Sequence, residues 1–505
     1  MNESNLKNKR ILIFQQRNWG INIGQYLAEK LQIEGCHLAA LTFKRSTHDY
    51  ILNQTEVKYD LILSNDDIVD KPKEFLGNDD YSLEDICQAL SINSVWPLVM
   101  SLRNHVRSYG DKYYYSFRQN VSDEVIIEYV KAVYKCIRKV FSEFKPDLII
   151  APNFVSFMHL MFNLYAQSQG IKMLAVTDCK VEDRRIFTYS YRDDQGPFIE
   201  RVDQLNSGQI KSDNIESAKK FISEFRQNFK KPQSIRELEA KKTLVKKIRH
   251  LLSPYYQILR WYLKRPVNLV ETLKITADYR SPRIILRDHY SHDRYKKFAE
   301  SYNYYPFEKI QKFVYFPLQF QPEASIDVVA PYFSNQIETA RLLAMSLPDD
   351  YTLVVKEHPT MVGLRPPSYL EKIARTVNVK LIDYRIPSQE VLTKADLIIS
   401  PNSTTLFEAA FLKKPAIQLG DLGTTLLLPN VFKHTDLTTI TGKIKELLIL
   451  DLNNQGYERK LENYVSAAYD VGFEVDYLGL WQRGAGDKEK LWQIYRQEIK
   501  RVFEK

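Results

Sequence analysis

Apolar runs of strand length alternate with longer amphipathic segments along the first 180 residues. Runs of about four to eight apolar residues are typical of buried strands, whereas apolar positions three or four residues apart favour helices. The pattern predicts strands at residues 11–15, 37–43, 59–63, 146–152 and 171–177. It predicts helices at residues 21–31 and 155–169, and a helix-rich stretch over residues 82–144. Strands separated by helices indicate a parallel sheet with helices on both faces.

The same alternation returns after residue 313 and is more regular there. It predicts strands at residues 313–318, 351–356, 379–382, 396–400 and 416–419. It predicts the helices between them at residues 335–347, 369–376, 388–394 and 406–412. The predicted fold class is therefore α/β, with two parallel-sheet domains. In such sheets, ligands bind in the crevice beyond the carboxyl ends of the strands.

Residues 210–305 interrupt the alternation. This stretch is polar and basic, and prolines punctuate it at 232, 254, 266 and 282, so we interpret it as a helical insertion or connector and not as a third sheet. A chain of 505 residues is also long for a single core. The predicted organisation is an N-terminal domain at 1–209, an insertion at 210–305 and a C-terminal domain at 306–505.

The net charge of +9 is concentrated in this middle stretch. Between Lys230 and Arg265, eleven Lys and Arg stand against two Glu, so the local charge of +9 equals that of the whole chain. The balance indicates a local basic patch and does not favour a nucleic-acid-binding protein. Within it, residues 241–265 mix basic residues with Leu, Ile, Trp and Tyr. This mixture favours either a helix on the anionic inner face of a membrane or a helix whose apolar stripe packs on the protein.

Other features of the composition bear on compartment and metal chemistry. The four cysteines form neither a ligand pair nor a disulfide pattern, which fits a reducing compartment. The first residues do not resemble a signal peptide, and no apolar stretch reaches the ~18 residues of a spanning helix. We therefore expect a cytoplasmic protein, peripheral at the inner face of the membrane if the basic segment binds there. The run DHYSHD at 288–293 has no spacing that we interpret as a helix-face ligand pair, so we predict no metal and no cofactor.

A His-Pro pair closes the second strand of the C-terminal half. Pro359 cannot extend the ladder and biases His358 toward an extended conformation, which places the imidazole at the mouth of the strand. Lys356, two residues earlier, is on the same side by strand periodicity. A cation and an imidazole at a strand end suit a diphosphate or a phosphodiester. The alternative is that His358 bonds only its own loop.

A hydroxyl-rich turn follows the fourth strand of this half, in the run SPNSTTLFE at 400–408. Free backbone N–H groups and the positive end of the helix dipole make such a turn an anion site, with Ser403, Thr404 and Thr405 as hydroxyl donors. Thr405 and Glu408 also fit a capping box, which needs no ligand. Because this turn and His358 both follow parallel strands, we predict that they converge on one anion pocket.

Residues 316–420 resemble the bacterial surface- and capsule-polysaccharide biosynthesis glycosyltransferases, a GT-B group that includes Kdo transferases. The similar stretches are FPLQFQPEAS (316–325), VVKEHP (354–359) and SPNSTTLFEAAFLKKPAIQLGD (400–421), and the region covers about a fifth of the chain. The resemblance implies a GT-B fold, in which two Rossmann-like domains face a cleft, here with a helical insertion between them.

In related GT-B enzymes that use CMP-activated sugars, an HP motif and a following Ser/Thr motif contact the nucleotide. The resemblance therefore implies that His358, Ser403 and Thr404 bind the nucleotide phosphate, and that Gln319 and Gln321 line the same cleft. The other candidates for the nucleotide site are Lys356, Thr405 and Glu408.

The acceptor side is expected on the N-terminal domain, where a carboxylate or a histidine would take the proton of an acceptor hydroxyl. Asp178, Glu182 and Asp183 follow the strand at 171–177, and His48 follows the strand at 37–43. An acidic residue after a strand is more often a turn or cap residue, so that alternative stays open for each of them.

The leading hypothesis is transfer of a sugar from a nucleotide-activated donor, such as CMP-Kdo or another CMP-sugar, to a surface or capsular polysaccharide. The expected partners are the nucleotide sugar, a glycan or lipid-linked acceptor and an anionic membrane, but no nucleic acid. Three alternatives remain: a polyol-phosphate transferase of the CDP-glycerol type, a sugar-nucleotide 2-epimerase, and an inactive glycan- or nucleotide-binding scaffold.

Overall fold

The computed structural model describes residues 6–107, 119–229, 244–270, 272–273, 275–276 and 281–504. These residues form two six-stranded sheets and one two-stranded pair. In chain order the strands are β1 Arg10–Gln16, β2 His37–Phe43, β3 Leu61–Ser64, β4 Leu148–Ile150, β5 Lys172–Asp178, β6 Arg185–Thr188, β7 Leu269–Val270, β8 Ile275–Thr276, β9 Phe313–Pro317, β10 Thr352–Lys356, β11 Val379–Ile382, β12 Leu397–Ser400, β13 Ala416–Gln418 and β14 Val431–Lys433.

Both large sheets have the same strand order. The first runs β3-β2-β1-β4-β5-β6 and the second β11-β10-β9-β12-β13-β14. Every neighbouring pair is parallel except β5 and β6, which are antiparallel. This is the strand order of a Rossmann fold, whose crevice lies where the order reverses, between β1 and β4 and between β9 and β12. The predicted α/β class with two parallel sheets is confirmed.

Helices pack around the first sheet and within the long connection between β3 and β4. Up to β5 they are Arg17–Trp19, Gln25–Ile33, Arg45–Asn53, Asn65–Asp70, Pro72–Leu76, Leu83–Ala89, Trp96–Val99, Arg103–Val106, Asp123–Lys139 and Phe157–Ser168, with π turns at Gly20–Gly24 and Val140–Phe144. After β6 come Pro197–Asn206, Ile215–Gln227, Leu244–Asn268 and Pro282–Ser301.

The remaining helices pack around the second sheet and close the chain. They are Ala324–Asp327, Gln336–Met345, Pro367–Ala374, Ser388–Lys394, Thr404–Phe411, Gly423–Leu426, Ile440–Leu448, Gln455–Val471, Tyr477–Arg483 and Lys488–Glu504, with short 3₁₀ turns at Phe307–Lys309, Pro331–Phe333 and Pro359–Met361.

Each sheet is buried on both faces. In β1, Leu12 and Phe14 belong to the core on one side, and Ile11 and Ile13 belong to the core on the other. The same division holds for β9. Because successive side chains of a strand point to opposite faces, burial on both sides requires a continuous apolar run. This is why continuous apolar runs in the sequence predicted these strands.

Two helices that follow β6 pack with the core of the second sheet. Helix Pro197–Asn206 contributes Phe198 to that core, and helix Ile215–Gln227 contributes Ile222. Both precede residue 306, the predicted start of the C-terminal domain. Both helices pack on the helix Gln455–Val471 of the second half of the chain, where the Phe198 and Tyr464 ring centroids are 5.1 Å apart.

The last two helices return to the first sheet. Leu480 of helix Tyr477–Arg483 and Tyr495 of helix Lys488–Glu504 lie in the core beside β1. Trp19 Nε1 donates a hydrogen bond of 2.8 Å to the Tyr477 hydroxyl. The contiguous boundaries 1–209 and 306–505 therefore depart from the packing at both ends of the second domain.

Two long helices, Leu244–Asn268 and Pro282–Ser301, pack on each other in the middle region. Helices were predicted for residues 210–305, but the antiparallel pair β7 and β8 was not. Residues 230–243 of the basic segment lie outside the described residues. Within the described part of the chain, no helix combines the length and apolar character needed to cross a membrane.

Candidate functional site

A cleft of about 1120 Å³ lies between the carboxyl ends of the two sheets. Residues after β4, β5 and β6 form one wall, and residues after β9, β10, β12 and β13 form the other. Ten of the predicted site residues line it: Asp178, Glu182, Asp183, Gln319, Lys356, His358, Ser403, Thr404, Thr405 and Glu408. The structure therefore brings the His358 strand end and the start of the helix Thr404–Phe411 to one crevice, as parallel strands facing a switch point require.

Gln321 was predicted to line the cleft, but it does not. Its side chain is buried, where it donates to the Ser334 carbonyl at 2.9 Å and accepts from Gln336 Nε2 at 2.8 Å. Both polar ends of the amide are thus used to fix the loop after β9. The resemblance marked a conserved-looking run, but the amide has a structural role in it.

His48 was a catalytic candidate, and it also lies outside the cleft. It sits in the helix Arg45–Asn53, and its Nδ1 is 2.8 Å from the Thr42 hydroxyl. In the sheet order, β2 is separated from β4 by β1, so the carboxyl end of β2 is displaced from the strands that form the wall. The topology therefore keeps His48 apart from the residues that line the cleft, and its catalytic role stays a prediction.

His358 presents a neutral imidazole to the cleft. The Thr360 backbone N–H donates to Nδ1 at 3.3 Å, so Nδ1 is an acceptor and the ring proton is on Nε2. Burial lowers the pKa of His358 to about 4, and the positive charges of Arg365 and Lys356 act in the same direction. The predicted alternative, bonding within its own loop, holds for Nδ1. Nε2–H has no protein acceptor among the described residues.

Lys356 and Glu408 are both buried on the wall of the cleft that the second sheet forms. Lys356 Nζ donates to the Ile386 carbonyl at 2.8 Å and to the Ser388 hydroxyl at 3.0 Å. Burial raises the pKa of Glu408 to about 7, although the charge of Lys356 opposes this rise. At neutral pH this carboxyl group can therefore both donate and accept a hydrogen bond.

The helix that starts at Thr404 is capped by Ser403. The Ser403 hydroxyl accepts from the Thr405 backbone N–H at 3.1 Å and donates to the Thr405 hydroxyl at 2.9 Å. The capping box proposed for Thr405 and Glu408 does not form, because the N-cap is Ser403, two residues before Thr405. Capping occupies Ser403 and Thr405, whereas the described contacts give the Thr404 hydroxyl no protein partner.

A buried brace holds the ends of β9, β10 and β12 together. Gln319 Nε2 donates to the Ser400 hydroxyl at 3.2 Å, and Arg365 donates to the Gln319 carbonyl at 2.6 Å and to the Glu357 carboxylate at 2.5 Å. Burial raises the pKa of Glu357, although Arg365 opposes the rise. The brace makes the wall a preorganised surface.

On the opposite wall, Asp178 is neutralised by cations. Its carboxylate accepts from the Lys180 backbone N–H at 2.8 Å and from Lys180 Nζ at 3.1 Å. Burial alone would raise the pKa of Asp178, but Lys180 and Arg185 outweigh it and hold the pKa below its ordinary value. Glu182 and Asp183 line the same wall and are largely exposed.

Asp193 also lines this wall, and sequence reasoning missed it. It lies in the loop between β6 and the helix Pro197–Asn206, and the Thr177 hydroxyl donates to its Oδ2 at 2.8 Å. Burial raises the pKa of Asp193 to about 6. The run Tyr-Arg-Asp-Asp-Gln-Gly-Pro before a helix is a turn signal that could have drawn attention to it.

Outside the cleft, three potential metal ligands come together. His289 and Asp293, four residues apart on the helix Pro282–Ser301, approach His250, and the ligand atoms lie within 4.8 Å of one another. The interpretation that residues 288–293 offer no helix-face pair is therefore wrong. The absence of a metal from the protein stays a prediction.

The fold and the cleft define a GT-B protein, in which two Rossmann-like domains face each other across the crevice at their switch points. Residues 262–422 match the sequence model of the capsule polysaccharide biosynthesis protein family. This match includes the stretches on which the family resemblance was based, and the resemblance is confirmed there. Among curated proteins, no sequence match is found.

Solved structures with a similar arrangement include a β-Kdo 2,7 transferase, KpsC of Thermosulfurimonas dismutans. It is 12% identical, with a TM-score of 0.34, over 73% of this chain and 89% of that one. The UDP-GlcNAc 2-epimerase of Neisseria meningitidis bound to UDP-GlcNAc is 13% identical, with a TM-score of 0.25, over 92% of this chain and 98% of that one. Both likenesses are weak, so the GT-B class rests on strand order and on the cleft.

Proposed function

We propose that the protein is a glycosyltransferase that moves a sugar from a nucleotide donor, such as CMP-Kdo or another CMP-sugar, to a surface or capsular polysaccharide. The observation that supports this proposal is that nucleotide-binding candidates from three strand ends and carboxylates of the opposite domain line one cleft. The family match over residues 262–422 supports the polysaccharide pathway. The nucleotide sugar is a substrate in this proposal, and no further cofactor is invoked.

The donor wall supplies the groups that a departing nucleotide phosphate needs. The Nε2–H of His358 and the hydroxyl and backbone N–H of Thr404, the first residue of the helix Thr404–Phe411, are hydrogen-bond donors for phosphate oxygens. The buried ammonium group of Lys356 adds positive electrostatic potential to this wall of the cleft. Such donors, fixed before the reaction, stabilise the negative charge that develops on the leaving group.

Because His358 is neutral, we expect it to contribute one hydrogen bond, and no charge, to nucleotide binding. The substitution His358→Ala removes one hydrogen bond to a charged phosphate, so nucleotide affinity should fall roughly tenfold or more. The measurement is the thermal shift produced by CMP, CDP, UDP and GDP, followed by titration with the best nucleotide. His434→Ala is the matched control, because His434 belongs to the same domain but lies outside the cleft.

The same four nucleotides, together with turnover assays, distinguish glycosyl transfer from the alternative functions. Stabilisation by CMP together with turnover of a CMP-sugar supports glycosyl transfer. Turnover of CDP-glycerol identifies a polyol-phosphate transferase, and nucleotide binding without any turnover identifies a scaffold. If none of the four nucleotides shifts the melting temperature of the wild-type protein, the proposal is wrong.

One observation favours the epimerase alternative. The cleft contains several carboxylates beyond those predicted, among them Asp193, Glu224, Glu323 and Glu357. An epimerase needs acid and base groups on the sugar. Incubation with UDP-GlcNAc and analysis for its 2-epimer tests this alternative directly.

The helix Leu244–Asn268 supports a second part of the proposal, that the protein acts at an anionic membrane surface where a lipid-linked acceptor would reside. Large apolar residues on this helix are each more than half exposed: Ile248, Leu251, Leu252, Tyr255, Tyr256, Leu259, Tyr262 and Leu263. They recur three or four residues apart, within an arc of about 140° on the helix. This is the exposed face of an interfacial amphipathic helix.

The positive charge around this helix favours an anionic membrane as the surface that it binds. Arg249 and Arg260 lie at one border of the apolar arc, and the surrounding sequence from Lys230 to Arg265 carries a charge of +9. A second copy of the chain would bring a second such charge to the interface and repel it. An anionic bilayer is attracted, by about 1 kcal/mol for each basic residue near the surface.

Vesicle flotation tests the membrane proposal. The wild-type protein should float with vesicles containing phosphatidylglycerol but not with pure phosphatidylcholine vesicles, and salt should weaken binding. The double substitution Leu251→Glu and Leu259→Glu should lower binding more than about tenfold, since each buried leucine contributes roughly 1.5–3 kcal/mol. Ile449→Glu is the control, because Ile449 is 87% exposed and lies at the end of a different helix, Ile440–Leu448. Equal loss in both variants, or equal binding to both lipids, would contradict the proposal.

A further inference from the structure

We infer that Asp193 is the group that accepts the proton of the acceptor hydroxyl, in place of the carboxylates that the sequence suggested. The inference rests on the proposed function and adds a catalytic residue to it. Asp193 lies on the acceptor wall of the cleft, in the domain opposite the nucleotide candidates. A base in this position faces the donor across the crevice.

The loop that carries Asp193 is held rigidly on its own domain. The Asp193 backbone N–H donates to the Ser190 carbonyl at 2.9 Å, and the Tyr191 N–H donates to Asn163 Oδ1 at 3.0 Å. Asn163 is fully buried and returns a hydrogen bond to the Tyr189 carbonyl at 2.8 Å. The buried Asn163 side chain therefore fixes the part of the loop that precedes Asp193.

Contact with the opposite domain also fixes the loop. The Gly423 backbone N–H donates to the Arg192 carbonyl at 2.7 Å. A methyl group on Gly423 would lie 2.6 Å from the Asp193 carbonyl oxygen and 2.5 Å from the Asp194 Cα, so only glycine permits this approach. Thr424 and Thr425, which follow Gly423, line the cleft. The loop thus meets the donor domain beside the cleft.

The backbone of Asp193 is strained, which fits a residue placed for function. Its φ is +53°, in the left-handed region that non-glycine residues rarely adopt. Such conformations persist where the surrounding contacts hold them, and they cluster at active sites. Here the contacts come from both domains.

The electrostatic environment distinguishes Asp193 from Asp178. Both oxygens of Asp178 accept hydrogen bonds from Lys180, which stabilise the carboxylate and weaken it as a base. Asp193 instead receives the hydroxyl of Thr177 on Oδ2, and burial raises its pKa to about 6. A base is most effective when its pKa is near the working pH.

The charged groups around Asp193 come from several elements. Lys180, in the loop after β5, lowers its pKa, and the adjacent Asp194 raises it. From the facing domain, the loop that contacts Arg192 begins at Asp421, which pairs with Lys433 at 2.5 Å. Burial outweighs these charges, so the pKa stays above its ordinary value.

The transfer step balances without another reactant. The acceptor oxygen forms the new bond to the anomeric carbon while its proton moves to the Asp193 carboxylate. The bond from the anomeric carbon to the phosphate oxygen breaks, and the nucleotide leaves with that electron pair. The donor wall then stabilises the charge on the nucleotide.

The test is Asp193→Asn, with nucleotide binding and turnover measured on the same preparation. Turnover is followed as nucleotide release from the sugar nucleotide that the wild-type protein uses, with CMP-Kdo as the first probe. We expect turnover to fall about 10²–10⁴-fold while the nucleotide-induced thermal shift is retained, as for loss of a general base. Asp194→Asn is the matched control, since Asp194 is adjacent and exposed, and it should keep wild-type turnover.

The pH profile adds a readout that a purely structural role would not produce. A base must be deprotonated to act, so wild-type kcat/KM should be flat above pH about 6 and fall about tenfold per pH unit below it. Asp193→Asn should abolish that acid limb, and Asp178→Asn should keep it near pH 6. Asp193→Glu should regain part of the turnover, which guards against a variant that fails only by misfolding.

The outcomes separate this inference from the proposed function. If the wild-type protein binds nucleotide and turns over a sugar nucleotide, but Asp193→Asn keeps turnover or its acid limb, Asp193 is not the base and the proposed function stands. If the wild-type protein neither binds a nucleotide nor releases one from a donor, both ideas are wrong.

Discussion

Replacing Asp327 by alanine should lower the free energy of unfolding by about 3–5 kcal/mol, the usual effect of breaking a buried ion pair. Asp327 is fully buried in the helix Ala324–Asp327 of the second half. It accepts from Arg103 Nε at 2.9 Å and from Arg107 at 2.7 Å, and both arginines belong to the first half. The carboxylate therefore ties the two halves of the chain together beside the cleft.

The expected size of this effect follows from burial. The Arg107 side chain is only 6% exposed and that of Asp327 is fully buried, so the substitution removes a charge-assisted contact from a medium of low polarity. Asp327→Asn keeps the shape and one acceptor oxygen and should have a smaller effect. Urea unfolding followed by circular dichroism gives both values.

An exposed ion pair provides the control. Asp350 and Lys312 are 2.5 Å apart, but both side chains are 58% exposed, so Asp350→Ala should leave the unfolding midpoint unchanged. A similar loss of stability in Asp350→Ala and Asp327→Ala would show that burial does not determine the strength of the Asp327 contacts.

The second large effect is expected for Lys356→Met, which should weaken nucleotide binding by about one to two orders of magnitude. Lys356 is 3% exposed at the carboxyl end of β10, on the donor wall of the cleft. Hydrogen bonds and attraction to a charged partner contribute roughly 1.5–3 kcal/mol each where water is excluded. Methionine keeps the length and apolar stem of the side chain and removes the charge.

The same substitution should change the titration of Glu408. Lys356 holds down the pKa of this carboxyl, which burial raises to about 7, so its removal should move that pKa still higher. Glu408 would then be protonated at neutral pH, and nucleotide binding by the variant should depend on pH above 7. The measurement is calorimetric titration with the best nucleotide at several pH values.

Lys380→Met is the matched control for the charge. Lys380 lies on β11, which pairs with β10, and its ammonium group packs over the Tyr305 ring at 4.7 Å, away from the cleft. The control should bind nucleotide like the wild-type protein. Equal affinities of Lys356→Met and the wild-type protein would exclude Lys356 from the nucleotide site.

Much of the scaffold could be predicted because its strands are buried on both faces. Continuous apolar runs such as β1 and β10 have few other interpretations, and the helices predicted between successive strands favour parallel order. The ends of these strands could be predicted as well. His358 precedes a proline that stops β10, and Ser403 precedes a helix, so their positions depend on neighbours in the sequence.

Side-chain roles that depend on distant residues could not be predicted. Gln321 looked like a cleft residue, but its partners Ser334 and Gln336 come from the following loop and helix. The separation of His48 from the cleft follows only from the position of β2 in the sheet. The packing of the last two helices on the first domain could not be predicted either, because an apolar helix face is compatible with many partner surfaces.

The sequence by itself determined the two α/β domains and the polar strand ends that point to a phosphate, since periodicity and local breakers encode both. The tertiary structure decided the environment of each carboxylate in the cleft. Asp178 and Asp193 are similar in sequence terms, but Lys180 neutralises the first, whereas Thr177 and the close approach of Gly423 position the second. Burial and charge at a site come from residues far apart in the chain, and only the folded protein brings them together.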